Sequence, residues 1–229
     1  MRSCRTCAIV PVKALGGAKR RLSSVLSDAA RQRLVLTMLQ DVLAALAGVG
    51  GLDCVVVVTP DARVAALAQE RGATVVPEPG AEELNAAVAS GIAYACSRGL
   101  GQALVLPADV PLATPDELRS LIQSRGEQPG VTLAPSHDGN GTNGLLLAPP
   151  NAIAPCYGPG SYLQHLSQAM ARRVDVNVVH LEGLARDIDE PGDLALLLAH
   201  PHAGKRYAFL APHAVGSARL QPNPQGNDQ

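Results

Sequence analysis

The sequence predicts an α/β fold in a single domain, with a mostly parallel central sheet flanked by helices. Three observations lead there. Short β-branched runs alternate with longer Ala- and Leu-rich segments whose apolar residues recur with helical period. The run Val55, Val56, Val57, Val58 shows no polar alternation, the pattern of a strand buried on both faces. At 229 residues, with 47% hydrophobic and 17% charged side chains, the chain is long enough for a sizeable core and too apolar for disorder throughout.

The elements follow in order. Strands are expected at residues 8–12, 54–59, 73–76, 103–107, 131–134, 144–148 and 174–181. Leu34, Met38, Val42 and Leu46 fall on one face of a helix that starts at Ser27 or Asp28. Asp61 is placed to cap a second helix, which Gly72 stops. Thr114, Pro115, Asp116 and Glu117 spell a capping box with Pro at the first helical position, so another helix begins there. A further helical segment runs on from Tyr162. Pro, Gly, Asn and Gln accumulate from about His200. The expected division is a short extension at 1–7, the domain at 8–200 and a tail at 201–229, its last dozen residues disordered.

Composition excludes several classes of function. With 19 Lys and Arg against 20 Asp and Glu, net charge −1, there is no bulk attraction to nucleic acid or anionic lipid. One Phe, four Tyr and no Trp leave little for base-stacking platforms or an aromatic membrane belt. No apolar run approaches the roughly 18 residues of a membrane crossing, so a soluble cytoplasmic protein is expected. Cysteines 4, 7, 54, 96 and 156 are odd in number and do not form a disulfide framework. Cys4 and Cys7 form a C-x-x-C with no partner pair to complete a zinc site.

In an open parallel sheet, ligands bind beyond the carboxyl ends of the strands, so chemistry is sought there. After the first strand, Lys13, Lys19, Arg20 and Arg21 surround Gly16 and Gly17, a loop suited to phosphates although it is neither G-x-G-x-x-G nor a Walker A motif. A solvated basic loop explains the same residues. After the fourth strand, Asp109 stands between Pro107 and Pro111, as a magnesium ligand facing phosphate or as an ordinary turn residue. After the last strand, Asp187 and Asp189 are two apart on an extended segment and point the same way, though they also suit the opening of a carboxyl-terminal helix.

Two Gly-rich loops, at 138–144 and 157–161, complete this edge. The second leads into a helix whose first amides, with the Ser161 hydroxyl, make a small anion site. After the third strand, Asn85 by its amide and Glu78 by its carboxylate can read guanine, or simply enter a helix. Histidines 137, 165, 180, 200, 202 and 213 lack ligand spacing and read as surface or core residues. A nucleotide and a second phosphate, joined by a divalent metal, account for the whole set.

Taken in order, these motifs resemble the CofC/FbiD family of guanylyltransferases in coenzyme F(420) biosynthesis. The matching pieces are PVKALGGAKRRL at 11–22, EELNAAVASG at 82–91, LVLPADVPL at 104–112, LAPSHDGNGTNGLLLAPP at 133–150, YGPGSYLQHL at 157–166 and DIDEPGDLALLL at 187–198. The resemblance covers residues 8–199 and implies a Rossmann-like, GT-A-like nucleotidyltransferase fold. It implies that a phosphorylated three-carbon acid attacks the α-phosphorus of GTP and that pyrophosphate leaves. By the same resemblance, Asp109, Asp187 and Asp189 hold Mg2+, as two ions, while Lys13 and Lys19, with Arg21, face the triphosphate. Lys13, Lys19 and Asp109 are then the catalytic set.

Glu78, Leu84, Asn85 and Pro107 border the guanine pocket in this reading, and Thr142, Gly158, Gly160 and Ser161 hold the acid. The archaeal pattern D-G-G-T-N is longer by one residue here, D-G-N-G-T-N at 138–143. That spelling favours phosphoenolpyruvate or 3-phospho-D-glycerate over 2-phospho-L-lactate as acceptor. Partners are expected to be small molecules, with the next transferase of the pathway and a second copy of the chain as protein candidates. Two other readings stay open: a metal-dependent glycosyltransferase using a nucleotide-sugar, which releases a nucleoside diphosphate, and a GTP sensor without catalysis.

Overall fold

The apolar runs become the seven strands of one sheet: β1 (Thr6–Pro11), β2 (Cys54–Thr59), β3 (Thr74–Pro77), β4 (Gln102–Val105), β5 (Gly130–Pro135), β6 (Thr142–Ala148) and β7 (Asp175–Val178). Their order across the sheet is β3-β2-β1-β4-β6-β5-β7. The computed structural model describes residues 5–77, 83–126, 128–201 and 203–210. Cys4, Glu78 and the tail beyond 210 lie outside the described residues, as does the disorder expected of its end.

The sheet is mostly parallel, with β6 antiparallel to both β4 and β5. The link between β5 and β6 is too short to cross over the sheet, and a short link joins antiparallel neighbours. The reversal brings the start of β6 to the same edge as the ends of β1, β4 and β5. The last predicted strand stops early, at Val178: Val179 donates its N–H to Leu133, and the chain then leaves the sheet toward Asp109.

Helices α1 (Asp28–Val49), α2 (Ala62–Glu70), α4 (Pro115–Gln123) and α6 (Pro191–Ala199) cover one face, and α3 (Leu84–Ser97) and α5 (Ser161–Ala171) the other. Successive strand residues feed the two cores in turn, Ala8 and Val10 on one side and Cys7 and Ile9 on the other. That double burial is why the strands lack polar alternation. The expected caps are present. Ser27 accepts from the Ala30 N–H, and Asp61 accepts from Arg63 and Val64. Thr114 and Glu117 exchange both bonds of the capping box.

Two features differ from expectation. By length and composition, α1 is the one described helix apolar enough to cross a membrane, and 56% of that stretch is buried in the domain. Packing also runs past residue 200: a 3-10 helix at Gly204–Leu210 buries Tyr207 and Leu210 against the first core, and the Tyr207 hydroxyl donates to Asp41 Oδ2 at 2.5 Å.

Candidate active site

The loop after β1 is held from below by α2. Asp61 caps that helix with one carboxylate oxygen and accepts the Leu15 N–H with the other at 3.0 Å. Those amide donors keep its pKa below the usual range against the opposing effect of burial. Further along, Lys19 takes a left-handed backbone conformation, φ 50°, uncommon for a residue with a side chain. Its ammonium is turned inward, donating to Asp109 Oδ2 at 2.6 Å and to Asp189 Oδ1 at 3.2 Å, with only 9% of the side chain exposed. Burial by itself lowers the Lys19 pKa, but the two carboxylates together override it, and the group is held charged above its usual range. Arg21, much more exposed, donates to Asp189 Oδ2 at 3.0 Å and reaches Glu190.

The carboxylates come from two segments pinned to each other, the Ile188 N–H donating to the Asp109 carbonyl at 2.9 Å. Ile188 is buried while Asp187 and Asp189 on either side stay half-exposed, the alternation expected of an extended stretch. Asp187 accepts from Asn143 Nδ2 at 3.1 Å, and the same amide donates to the Leu184 carbonyl. Burial, with a smaller push from Asp109, raises the Asp187 pKa. Asp193 at the start of α6 receives the N–H groups of Asp189 and Glu190, at 2.9 and 2.7 Å. Glu117 braces the same segment from α4, since its Oε1 accepts the Gly183 N–H at 2.7 Å. The backbones are in close contact there, a Cβ on Gly183 falling 2.2 Å from the Leu112 carbonyl oxygen.

Among the described residues, no group of three or more His, Cys, Asp or Glu is gathered tightly enough to hold a metal alone. The Lys19 ammonium stands between Asp109 and Asp189. Hard carboxylate oxygens nonetheless suit Mg2+, which takes one or two of them when phosphates complete its shell.

A second cluster lies on the other face of β6. Thr142 and Asn143 begin that strand and point to opposite sides, Asn143 to the carboxylates and Thr142 to α5. Thr142 Oγ1 is 3.0 Å from His165 Nδ1 and 3.5 Å from Ser161 Oγ, and all three side chains are buried. The Cys156 N–H donates to His165 Nε2 at 3.1 Å. Gly158 and Gly160, with φ of 136° and 72°, make the turn into α5 in conformations that favour glycine.

Of the residues the sequence pointed to, Lys19, Arg21, Asp109, Asp187 and Asp189 meet in the first cluster, and Thr142, Gly158, Gly160 and Ser161 in the second. Lys13 follows β1 and is exposed, and Pro107 is half-buried between β4 and Asp109. Leu84 and Asn85 open α3. The Asn85 amide, expected to face a base, instead clasps Tyr157: its Nδ2 donates to the Tyr157 carbonyl at 3.0 Å and its Oδ1 accepts the Tyr157 N–H at 2.6 Å. Two of the amides expected to make an anion site at the start of α5 are already taken. The Ser161 N–H is taken by the Gly158 carbonyl and the Tyr162 N–H by the Asn140 carbonyl, so the extra loop residue region caps the helix. The contacts of Asn143, His165 and Tyr157 were not anticipated, nor was the second bond of Glu117, to the Gly183 N–H, beyond its expected place in the capping box. The four-residue spacing of Ser161 and His165 on one helix face was the available signal for His165.

A Rossmann-like mixed sheet, with carboxylates and an inward lysine gathered where β1 and β4 end, is in keeping with the nucleotidyltransferases that the chain resembles. The chain belongs to the family of CofC-like guanylyl transferases, whose profile matches residues 6–217. A phosphoenolpyruvate guanylyltransferase of Rubrobacter xylanophilus is 44% identical over 84% of this chain and 93% of its own length. One of Sphaerobacter thermophilus is 40% identical over 87% and 95%. A 2-phospho-L-lactate guanylyltransferase of Methanothermobacter thermautotrophicus is 31% identical over 95% and 97%. Among solved structures, a nucleotidyl transferase from Methanothermobacter shares the fold with a TM-score of 0.65 at 17% identity, covering 85% of this chain and 96% of its own.

Proposed function

We propose that this protein transfers GMP from GTP to a phosphorylated three-carbon acid in coenzyme F(420) biosynthesis. A phosphate oxygen of the acid attacks the α-phosphorus of GTP and forms a new P–O bond. The bond from that phosphorus to the bridging oxygen breaks, and pyrophosphate leaves. The observation that carries this reading is the inward Lys19 ammonium among Asp109, Asp187 and Asp189 at the ligand-binding edge. Such a transfer needs positioning and charge neutralisation more than a protein nucleophile, and the cluster offers both.

Lys19, with Lys13 and Arg21, faces the triphosphate. Asp109, Asp187 and Asp189 would hold Mg2+, which supplies neutralisation of phosphate charge when bound. Leu84, Pro107 and Glu78 border the guanine, while Asn85 fixes the adjoining loop through Tyr157. Thr142, Gly158, Gly160 and Ser161 surround the acid. Phosphoenolpyruvate is the favoured acceptor, supported by the names of the 40 and 44% identical relatives, with 3-phospho-D-glycerate next and 2-phospho-L-lactate third. The reaction belongs in the cytoplasm, its product passing to the next transferase of the pathway, and a homodimer is compatible with it.

The variants Asp109→Ala and Asp189→Ala test the assignment. Each is expected to lower turnover with GTP and Mg2+ by about 100-fold or more, the scale on which removal of a charge-stabilising group acts. Wild-type turnover in either would overturn it. Release of nucleoside diphosphate instead of pyrophosphate would support the glycosyltransferase reading.

A further inference from the structure

We infer that His165 is a positioning residue that commits the Thr142 hydroxyl to donating its proton to the acceptor acid. The inference deepens the proposed function and rests on it. Its premise is a chain of hydrogen bonds in which each role is fixed by the one before. The Cys156 backbone N–H has only a proton to offer, so His165 Nε2, 3.1 Å away, accepts and carries no hydrogen. A neutral imidazole then has its proton on Nδ1, which donates to Thr142 Oγ1 at 3.0 Å. The reverse arrangement, with Thr142 donating to Nδ1, leaves the ring with no proton on either nitrogen, an anion that a buried site does not support.

The ring is neutral by its surroundings. It is fully buried, and burial pushes its pKa down to about 4. Tyr157 packs edge-on against it, with ring centroids 5.0 Å apart. The Ser161 hydroxyl approaches the same Thr142 oxygen at 3.5 Å. Thr142 Oγ1 thus receives hydrogens from its two neighbours and keeps one unassigned valence, its own proton. A hydroxyl in that state offers only a donor, and the group it suits is an ionised oxygen such as a carboxylate or phosphate. Because Asn143, the next residue on β6, holds Asp187, the same strand end fixes the acid relative to the carboxylate cluster.

Two measurements test this. The 15N spectrum of the wild-type imidazole at pH 7 is expected to show a protonated Nδ1 and a bare Nε2; the opposite tautomer would overturn the inference whatever the enzyme's activity. Steady-state kinetics then compare wild type with His165→Leu. The KM for the acid is expected to rise severalfold, up to the roughly tenfold that complete loss of the Thr142 hydrogen bond to a charged group would cost, with KM for GTP changed less than about twofold. In a Thr142→Val background, His165→Leu should add almost nothing. Equal rises in both KM values, or full additivity with Thr142→Val, would refute positioning. If His165→Leu does not fold, His165→Asn, which places an amide near Nδ1, should keep the acid's KM close to wild type, and His165→Gln should not; identical behaviour of the pair would refute it too. A wild-type protein that releases no pyrophosphate with any acid counts against the proposed function, and the tautomer measurement still decides the role of His165.

Discussion

Asp187 shows most clearly how a single buried group can cost the free fold stability, a cost that the proposed binding role would explain. Its carboxylate is partly buried beside Asp109, and burial raises its pKa above the ordinary carboxylate value. A raised folded-state pKa means that the folded protein holds this proton more tightly than the unfolded chain does. The resulting stability is present at pH values below the unfolded pKa and is lost as pH rises through the folded one. Asp187→Asn removes that loss. With metal and nucleotide absent, the variant is expected to melt higher than wild type at pH 7, with the gap closing toward pH 4. A variant that melts at or below wild type at pH 7 would contradict it. Lys19 shows the complementary case: an ammonium kept charged by Asp109 and Asp189, which in the proposed reaction faces the triphosphate.

Among the elements, α4 links a sequence signal to the site. Its capping box was plain in the order Thr114, Pro115, Asp116, Glu117, because capping depends on residues three apart. The second bond of Glu117, to the Gly183 N–H, spans 66 positions and had no local signature. Glu117→Ala leaves the Thr114 cap on the backbone N–H but both removes the reciprocal bond to the Thr114 N–H and orphans the Gly183 amide. The expected cost is about 1–3 kcal/mol, or on the order of 3–10 °C in Tm, with a fall in turnover as the 183–189 segment loosens. Calorimetric melting checks the first part; an unchanged Tm would show that Glu117 does not brace the segment. Strand positions were legible for a similar local reason, since β-branched runs mark themselves. The reversed direction of β6 was not, because direction is set by the connection and not by the strand's composition.

At the scale of the whole molecule, the fold gathers on one edge what the sequence spreads from Lys19 to Asp189. The carboxylates were legible because each follows a strand, and the ends of parallel strands are where α/β proteins bind ligands. The second cluster, proposed to hold the acid, was legible only in outline. The contacts of His165 and Asn85 are with partners 9, 23 and 72 positions away, and only the spacing of Ser161 and His165 on one helix face hinted at any of them. The helix start expected to hold an anion is capped by its own chain, through the Asn140 carbonyl. The measurement that decides the function is pyrophosphate release by the purified protein with Mg2+ and GTP, offered phosphoenolpyruvate, 3-phospho-D-glycerate and 2-phospho-L-lactate in parallel, with ATP and CTP as controls. Release with GTP and one of the acids, phosphoenolpyruvate foremost, is the predicted result. Bound GTP that stays intact with all three acids would contradict it.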